Sequence, residues 1–175
     1  MTDSEVVGVA ELDRATAEDA AGLLRPACAG TRWIERVLDG RPYGSLSALI
    51  AASDRAIAAL SWPDIEEALA AHPRIGDRAL MRGTRSGDRE ASWSRQEQAA
   101  AAHAGADVQA ALGAGNAAYE ERFGHVFLIC ATGRSATEIL SALHGRLGHD
   151  PVAEREVVRA ELVQIVRLRL AKALR

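Results

Sequence analysis

The chain has 175 residues, of which 48 % are hydrophobic and 26 % charged, and its net charge is −3. That length fits one domain of roughly 100–200 residues with core enough to fold without staples, and the charge balance supplies no basic field for nucleic acid. The longest purely apolar run, Val126 to Ala131, is far short of the ~20 residues that cross a bilayer.

Alanine, leucine, glutamate and arginine dominate and aromatics are 4 %, a mixture that favours helices and starves a large sheet. Residues 1–10 are expected to form a flexible or weakly packed extension. They lack the basic-then-apolar order of a secretory signal, and the closing Ala173-Leu174-Arg175 is not a peroxisomal tripeptide, so a cytoplasmic location is expected. Thr16 precedes an Ala/Leu run that stops before Pro26, and Thr31 opens a segment with Trp33, Ile34, Val37 and Leu38 on one side. Ser45 precedes Leu46, Leu49, Ile50, Ile57 and Leu60; Ser61 and Pro63 begin the next helix, with Asp64 in its first turn. Ser94 with Glu97, and Ser135 with Glu138, match the capping box, and Asp150-Pro151 opens a long final helix. Breaks are expected at 39–42, His72-Pro73, 83–87, 113–115 and Gly148, and residues 77–93 read as one long polar loop. The expectation is an all-α, single-domain bundle of about eight helices over 1–175. Cys28 and Cys130 are too few for a disulfide framework and read as buried, reduced thiols.

Three side chains stand out against this pattern. His72 shares a stripe with Ile65, Ala68 and Leu69 if the helix runs through 64–72. It either favours the helix dipole at a C-terminus or presents an imidazole to a pocket, where it exchanges a proton near neutral pH. Glu97 is explained by its capping box with Ser94, yet a glutamate beside free helix amides also suits a ligand, and Gln98 next to it both donates and accepts. Arg169 follows Val158, Leu162 and Ile165 on one apolar face; it either snorkels at the helix end or lies inside, where a guanidinium holds a carboxylate. His144 and His149 are five apart and no HExxH or CxxC occurs, so no metal site is expected. Tyr119 and Phe123 read as core.

Taken in order, His72-Pro73-Arg74-Ile75-Gly76, then Ser94-x-x-Glu97-Gln98, then Asn116-x-x-Tyr119-x-x-x-Phe123-Gly124 leading into Phe127-Leu128-Ile129-Cys130-Ala131, resemble the 2-oxo-4-hydroxy-4-carboxy-5-ureidoimidazoline (OHCU) decarboxylases. Cys28, Trp33, Arg41-Pro42-Tyr43 and the ending Ile165 to Leu170 fit as well, so the resemblance runs from about Leu12 to Leu170. It implies an all-helical, cofactor-free carboxy-lyase, a homodimer, that turns OHCU into (S)-allantoin in urate breakdown. On the same resemblance His72 is the catalytic acid and is held by Glu97. Pro73 shapes the pocket, and Ser94, Glu97 and Gln98 bind substrate. Phe127, Leu128, Ile129, Cys130 and Ala131 supply backbone groups, and Arg169, with Arg167 two residues away, meets the anionic part. Two other readings stay open: a related lyase on another ureido acid, and a non-enzymatic helical interaction module in which His72 and Glu97 are caps.

Overall fold

In a computed structural model, residues 8–76 and 89–174 are described. Every regular element among them is an α-helix: α1 (Val9–Arg14), α2 (Ala17–Leu24), α3 (Thr31–Asp39), α4 (Leu46–Ala58), α5 (Trp62–Ala70), α6 (Arg89–Glu97), α7 (Ala99–Ala102), α8 (Ala106–Phe123), α9 (Ala136–Arg146) and α10 (Pro151–Ala173). The all-α expectation holds, and the short α1 and α7 are additions to it. The chain divides into two compact units, one made of residues up to Ala68 with Val163 onwards, the other of Leu69–Leu162. Of the expected N-terminal extension, residues 8–10 fall in the described part, and Val9 is already buried in α1.

The first unit is built by its caps. Thr16 Oγ1 accepts from the Asp19 amide and donates to the Asp19 carboxylate, and Ser61 and Asp64 make the same exchange at α5. Ser45 accepts from the Ala48 amide at 3.2 Å. Each satisfies a helix amide that has no partner in its own helix. α3 is capped instead by Gly30, without a side-chain bond, while Thr31 donates to Glu67 Oε1 at 2.6 Å. Leu12, Leu24, Trp33, Leu49, Ile57 and Ile65 are fully buried, and the Trp33 indole N–H reaches Ser53 Oγ at 3.1 Å. The break after α3 is pinned by Arg41, which donates to the carbonyls of Leu12 and Ala15 at 2.8 and 2.9 Å. Gly40 leaves room there for the Tyr43 hydroxyl, which a Cβ would press against and which donates to the Val37 carbonyl at 2.7 Å.

The second unit packs Ile75, Leu112, Tyr119, Phe127, Ile129, Ile139 and Leu143 into one core. Two sequence expectations fail here. The glycines at 113–115 do not break the chain; α8 runs through them. Gly115 is buried, and a Cβ on it would stand 2.5 Å from Leu143 Cδ2, so its missing side chain lets α9 approach. The polar loop expected over 77–93 is helical from Arg89, in α6, and its remainder, 77–88, lies outside the described residues. Ser135 and Glu138 do form the capping box, and Asp150 Oδ1 caps α10 by accepting from the Val152 amide at 2.9 Å. Cys28 is buried as expected, whereas Cys130 is half-exposed.

A buried charge cluster holds this unit. Glu154 Oε1 accepts from Arg146 Nε and Nη2 at 2.8 and 2.5 Å and from the Tyr119 hydroxyl, and Glu154 Oε2 pairs with His149 Nδ1 at 2.7 Å. Burial by itself would raise the Glu154 carboxyl, but the Arg146 and Tyr119 bonds, the Arg146 charge and the His149 bond outweigh it and hold the group below its ordinary 4.5. Tyr119 is pushed above its ordinary 10.0, first by burial and then by its bond to Glu154.

A carboxyl depressed in the fold stabilises above its unfolded value and loses that contribution as pH falls; a phenol raised in the fold loses its contribution as pH rises through and beyond its unfolded value. Melting temperature plotted against pH is therefore expected to fall on the acid side of 4.5 and again on the alkaline side of 10.0. Glu154→Ala, which strands a buried guanidinium, should lower stability by about 3–5 kcal/mol and flatten the acid limb. Asp54→Ala, which breaks the exposed pair with Arg167, should cost at most about 1 kcal/mol. Denaturant melts at several pH values check all three.

Candidate active site

His72 lies just beyond α5, which stops at Ala70 and not at 72. The chain tightens there, with the His72 amide donating to the Leu69 carbonyl at 2.9 Å, and Pro73, which has no amide hydrogen, cannot continue a helix. His72 is 8 % exposed. The loop that follows is fastened at each residue. Gln98 Nε2 donates to the Pro73 carbonyl at 3.4 Å, Asn116 Nδ2 donates to the Ile75 carbonyl at 2.9 Å, and the Arg74 guanidinium forks onto Glu120 at 2.6 and 2.5 Å. Gly76 has φ +79°, a conformation that a β-carbon disfavours.

The second block is placed differently from its sequence reading. Ser94 and Glu97 do not open a helix. They lie in the last turns of α6, which begins at Arg89, so the pair is not a capping box. The local explanation for Glu97 is thereby removed, and with it the reading of Glu97 as a cap in an interaction module. Ser94 is 2 % exposed, Gln98 is 7 % exposed, and Glu97 is half-buried. Gln98 Oε1 has no hydrogen-bond partner among the described residues and offers a buried acceptor to a ligand N–H.

The third block is irregular chain, neither helix nor strand, between two glycines. Gly124, at φ +78°, closes α8 by donating its amide to the Glu120 carbonyl at 2.8 Å, and Gly133, at φ +79°, turns the chain into the Ser135 cap. Phe127, Leu128, Ile129 and Ala131 are buried, and Cys130 is half-exposed. Side chains satisfy part of this backbone. Arg146 Nη1 donates to the Leu128 carbonyl at 2.7 Å, the Cys130 amide donates to Glu161 Oε2 at 2.8 Å, and Arg134 Nε donates to the Cys130 carbonyl at 3.2 Å. Among the described residues, none bonds the amide or the carbonyl of Ile129. The Cys130 thiol is raised, first by burial, with the carboxylates of Glu161 and Glu97 adding to it and the Thr132 amide opposing them. The Glu97 carboxylate is therefore within electrostatic reach of this segment.

Arg169 belongs to the first unit. It is 2 % exposed and does not snorkel, whereas Arg167 is exposed and grips Asp54 with three bonds of 2.7–3.1 Å. Sequence reasoning passed over Arg146, Glu154 and Glu161. For Glu154 a signal was present: it precedes Val158, Leu162 and Ile165 on the same stripe, a carboxylate in an apolar series. Among the described residues no group of histidine, cysteine and carboxylate side chains is arranged to hold a metal ion, and no helix is long and apolar enough to cross a membrane.

The described residues thus combine an all-helical fold with a buried imidazole at His72 and an irregular run of peptide groups over 127–131. The sequence profile named OHCU decarboxylase matches residues 13–171. The chain is 35 % identical over 134 residues to the 2-oxo-4-hydroxy-4-carboxy-5-ureidoimidazoline decarboxylase of Amia calva, covering 77 % of this chain and 75 % of that protein. It is 32 % identical over 145 residues to the uric acid degradation bifunctional protein TTL of Arabidopsis thaliana, of which it spans only 44 %. A crystal structure of an OHCU decarboxylase in the presence of (S)-allantoin superimposes with a TM-score of 0.71 at 25 % identity, over 90 % of this chain and 97 % of that one. That of an (S)-allantoin synthase, 20 % identical with a TM-score of 0.67, shares the fold. The chain belongs to the OHCU decarboxylase family, the carboxy-lyases that convert OHCU to allantoin in purine catabolism.

The thiol reports on this geometry. Cys130 is expected to alkylate more slowly than a free thiol at mildly alkaline pH, because its raised value leaves less thiolate. Glu97→Gln should speed it by removing a nearby negative charge. Peptide mass spectrometry after iodoacetamide, with the buried Cys28 as the internal control, checks both.

Proposed function

We propose that the chain decarboxylates OHCU to (S)-allantoin without a cofactor, with His72 as the proton donor and Glu97 as the carboxylate that orients it. The observation that carries this reading is the bond from Gln98 to the Pro73 carbonyl, which joins the histidine loop to the end of the helix bearing Ser94 and Glu97. The chemistry asks for little more. When the bond to the carboxylate breaks and carbon dioxide leaves, its electron pair passes into the adjacent ring imine, and an enol remains on the carbon that kept its hydroxyl. Ketonisation of that enol places a proton on the neighbouring ureido-bearing carbon. Delivery from one face, by an imidazolium held rigidly, sets the handedness. The substrate's own imine takes the electrons, so no separate electron sink is needed.

The remaining residues are assigned by role. Pro73 limits the space beside the imidazole. Ser94 and Gln98 supply hydroxyl and amide groups to the ureido and ring atoms. Phe127, Leu128, Ile129, Cys130 and Ala131 contribute peptide groups, which stabilise charge where it develops. Arg169 takes the anionic group, since Arg167 is committed to Asp54. We further assign the protein to the cytoplasm as a homodimer, in line with the family resemblance, and treat 1–175 as one domain, because the family profile runs across both compact units.

Coupling the protein to urate oxidase and 5-hydroxyisourate hydrolase and following circular dichroism tests the reading. A fast rise of the (S)-allantoin signal is expected, against a racemate from spontaneous decay. His72→Asn should lower kcat by about 10²–10⁴-fold with helix content unchanged; retained turnover removes His72 as the acid. Glu97→Gln should lose activity at an unchanged melting temperature, because no cap is lost. Arg169→Lys should act mainly through KM, while Arg167→Lys stays at the wild-type level. Sedimentation velocity decides the dimer.

A further inference from the structure

The segment 127–131 is neither helix nor strand, and its one bond to other backbone among the described residues lies at its end, where the Arg134 amide donates to the Ala131 carbonyl at 3.1 Å. Before that end, the Leu128 carbonyl and the amide and carbonyl of Cys130 are held by side chains with charges of both signs. On one side the Arg146 guanidinium donates to the Leu128 carbonyl at 2.7 Å; on the other the Glu161 carboxylate accepts from the Cys130 amide at 2.8 Å. Each grip is charge-assisted, hence shorter and stiffer than a bond between neutral groups. Each gripping side chain is itself held. Arg146 is fixed by Glu154 and stacks 4.6 Å over the Phe127 ring, and Glu161 lies 4.0 Å from Arg134, which in turn bonds the Cys130 carbonyl. Between the grips sits Ile129, 3 % exposed, with its amide and carbonyl unbonded among the described residues. Buried peptide groups nearly always find partners, so a run gripped on both sides of an unused pair is arranged for a ligand.

We propose that Arg146 and Glu161 are positioning residues for the decarboxylation, clamping Leu128 and Cys130 so that the peptide groups of Ile129 stay open and fixed for the substrate's ureido and ring atoms. Neither side chain is assigned a contact with substrate; both act through the backbone. The inference rests on the decarboxylase reading above and adds a specific cause of its precision. A shift of about 1 Å in such a group costs on the order of 10²-fold in rate, and the clamp is what prevents it.

The test uses the full chain with Glu161→Ala, Glu161→Gln and Arg146→Lys, and reads kcat, KM and the enantiomeric purity of the allantoin formed. Glu161 is 17 % exposed, so its variants are the ones expected to fold. Glu161→Ala should lower kcat about tenfold or more and reduce the excess of the (S) product. Glu161→Gln, whose side-chain oxygen still accepts from the Cys130 amide, should restore most of both. Arg146→Lys should show the same loss of kcat where it folds. Faster amide exchange across 127–131 in Glu161→Ala should accompany the loss. If Glu161→Ala melts earlier yet keeps wild-type kcat and product handedness, the clamp is structural only and the proposal falls while the decarboxylase reading stands. An inactive wild-type protein overturns both.

Discussion

Glu154 has no solvent exposure, and Arg146 has almost none. Removing two such charges from water costs several kcal/mol each, and their mutual attraction compensates only when the remaining donors and acceptors are also used. Here they are. Glu154 takes bonds from Arg146, Tyr119 and His149, and the third nitrogen of Arg146 is spent on the Leu128 carbonyl. One ion pair thereby links α8, α9, α10 and the irregular segment after α8. A lysine could not stand in, because only a guanidinium can hold a carboxylate with two nitrogens and a carbonyl with another. The second unit's core is arranged around this polar centre, with Phe127 and Tyr119 lying against the guanidinium.

Inside a helix every peptide group except those of the ends is consumed by its own hydrogen bonds, so a helical protein that binds a urea-like substrate through backbone must interrupt its helices. Two such interruptions lie among the described residues of the second unit. Pro73 ends the path of α5 and releases the loop that carries His72, while Gly124 and Gly133, both with positive φ, bracket the irregular run from Val126 to Ala131. Each interruption is then made rigid by side chains, Gln98, Asn116 and Glu120 for the first, Arg146, Glu161 and Arg134 for the second. Loops bonded in this way lose the mobility usual for loops, a property that the proposed stereospecific protonation requires.

Much of the fold was legible because its signals are local. The caps at Thr16, Ser45, Ser61, Ser135 and Asp150 are short-range bonds between residues a few positions apart, and each is present. The buried stripe Val158, Leu162, Ile165 is likewise a matter of spacing. What failed needed distant information. Ser94-x-x-Glu97 has the letters of a capping box, yet α6 starts five residues earlier in a polar stretch with no apolar period to announce it. Gly115 looks like a break until Leu143 is seen to fill the space its side chain would take. Glu161 reads as an ordinary helix glutamate, because its partner, the Cys130 amide, is 31 residues away. The candidate site was legible as a set of motifs, and its supporting residues were not.

The apolar stripe of α10 begins with a buried carboxylate, Glu154, and ends with a buried guanidinium, Arg169. Glu154 is fully used within the protein, and its role is structural. For Arg169, assigned to the anionic group of the substrate, the physics sets a limit. The substrate's carboxylate is charged before the reaction and leaves as neutral carbon dioxide, so an arginine that binds it stabilises the starting complex more than the transition state. Such a contact tightens KM and by itself does nothing for kcat. Acceleration has to come from groups that meet charge as it grows on the ring, the role proposed for the peptide groups of 127–131 and for His72. An enzyme built this way separates capture from catalysis by chemistry: a long-range ionic attraction brings the anion in, and short, rigid neutral donors act on it. On the proposed mechanism the stiffness of the segment 127–131, and through it the Arg146–Glu154 pair, limits the rate more directly than the arginine assigned to the anion.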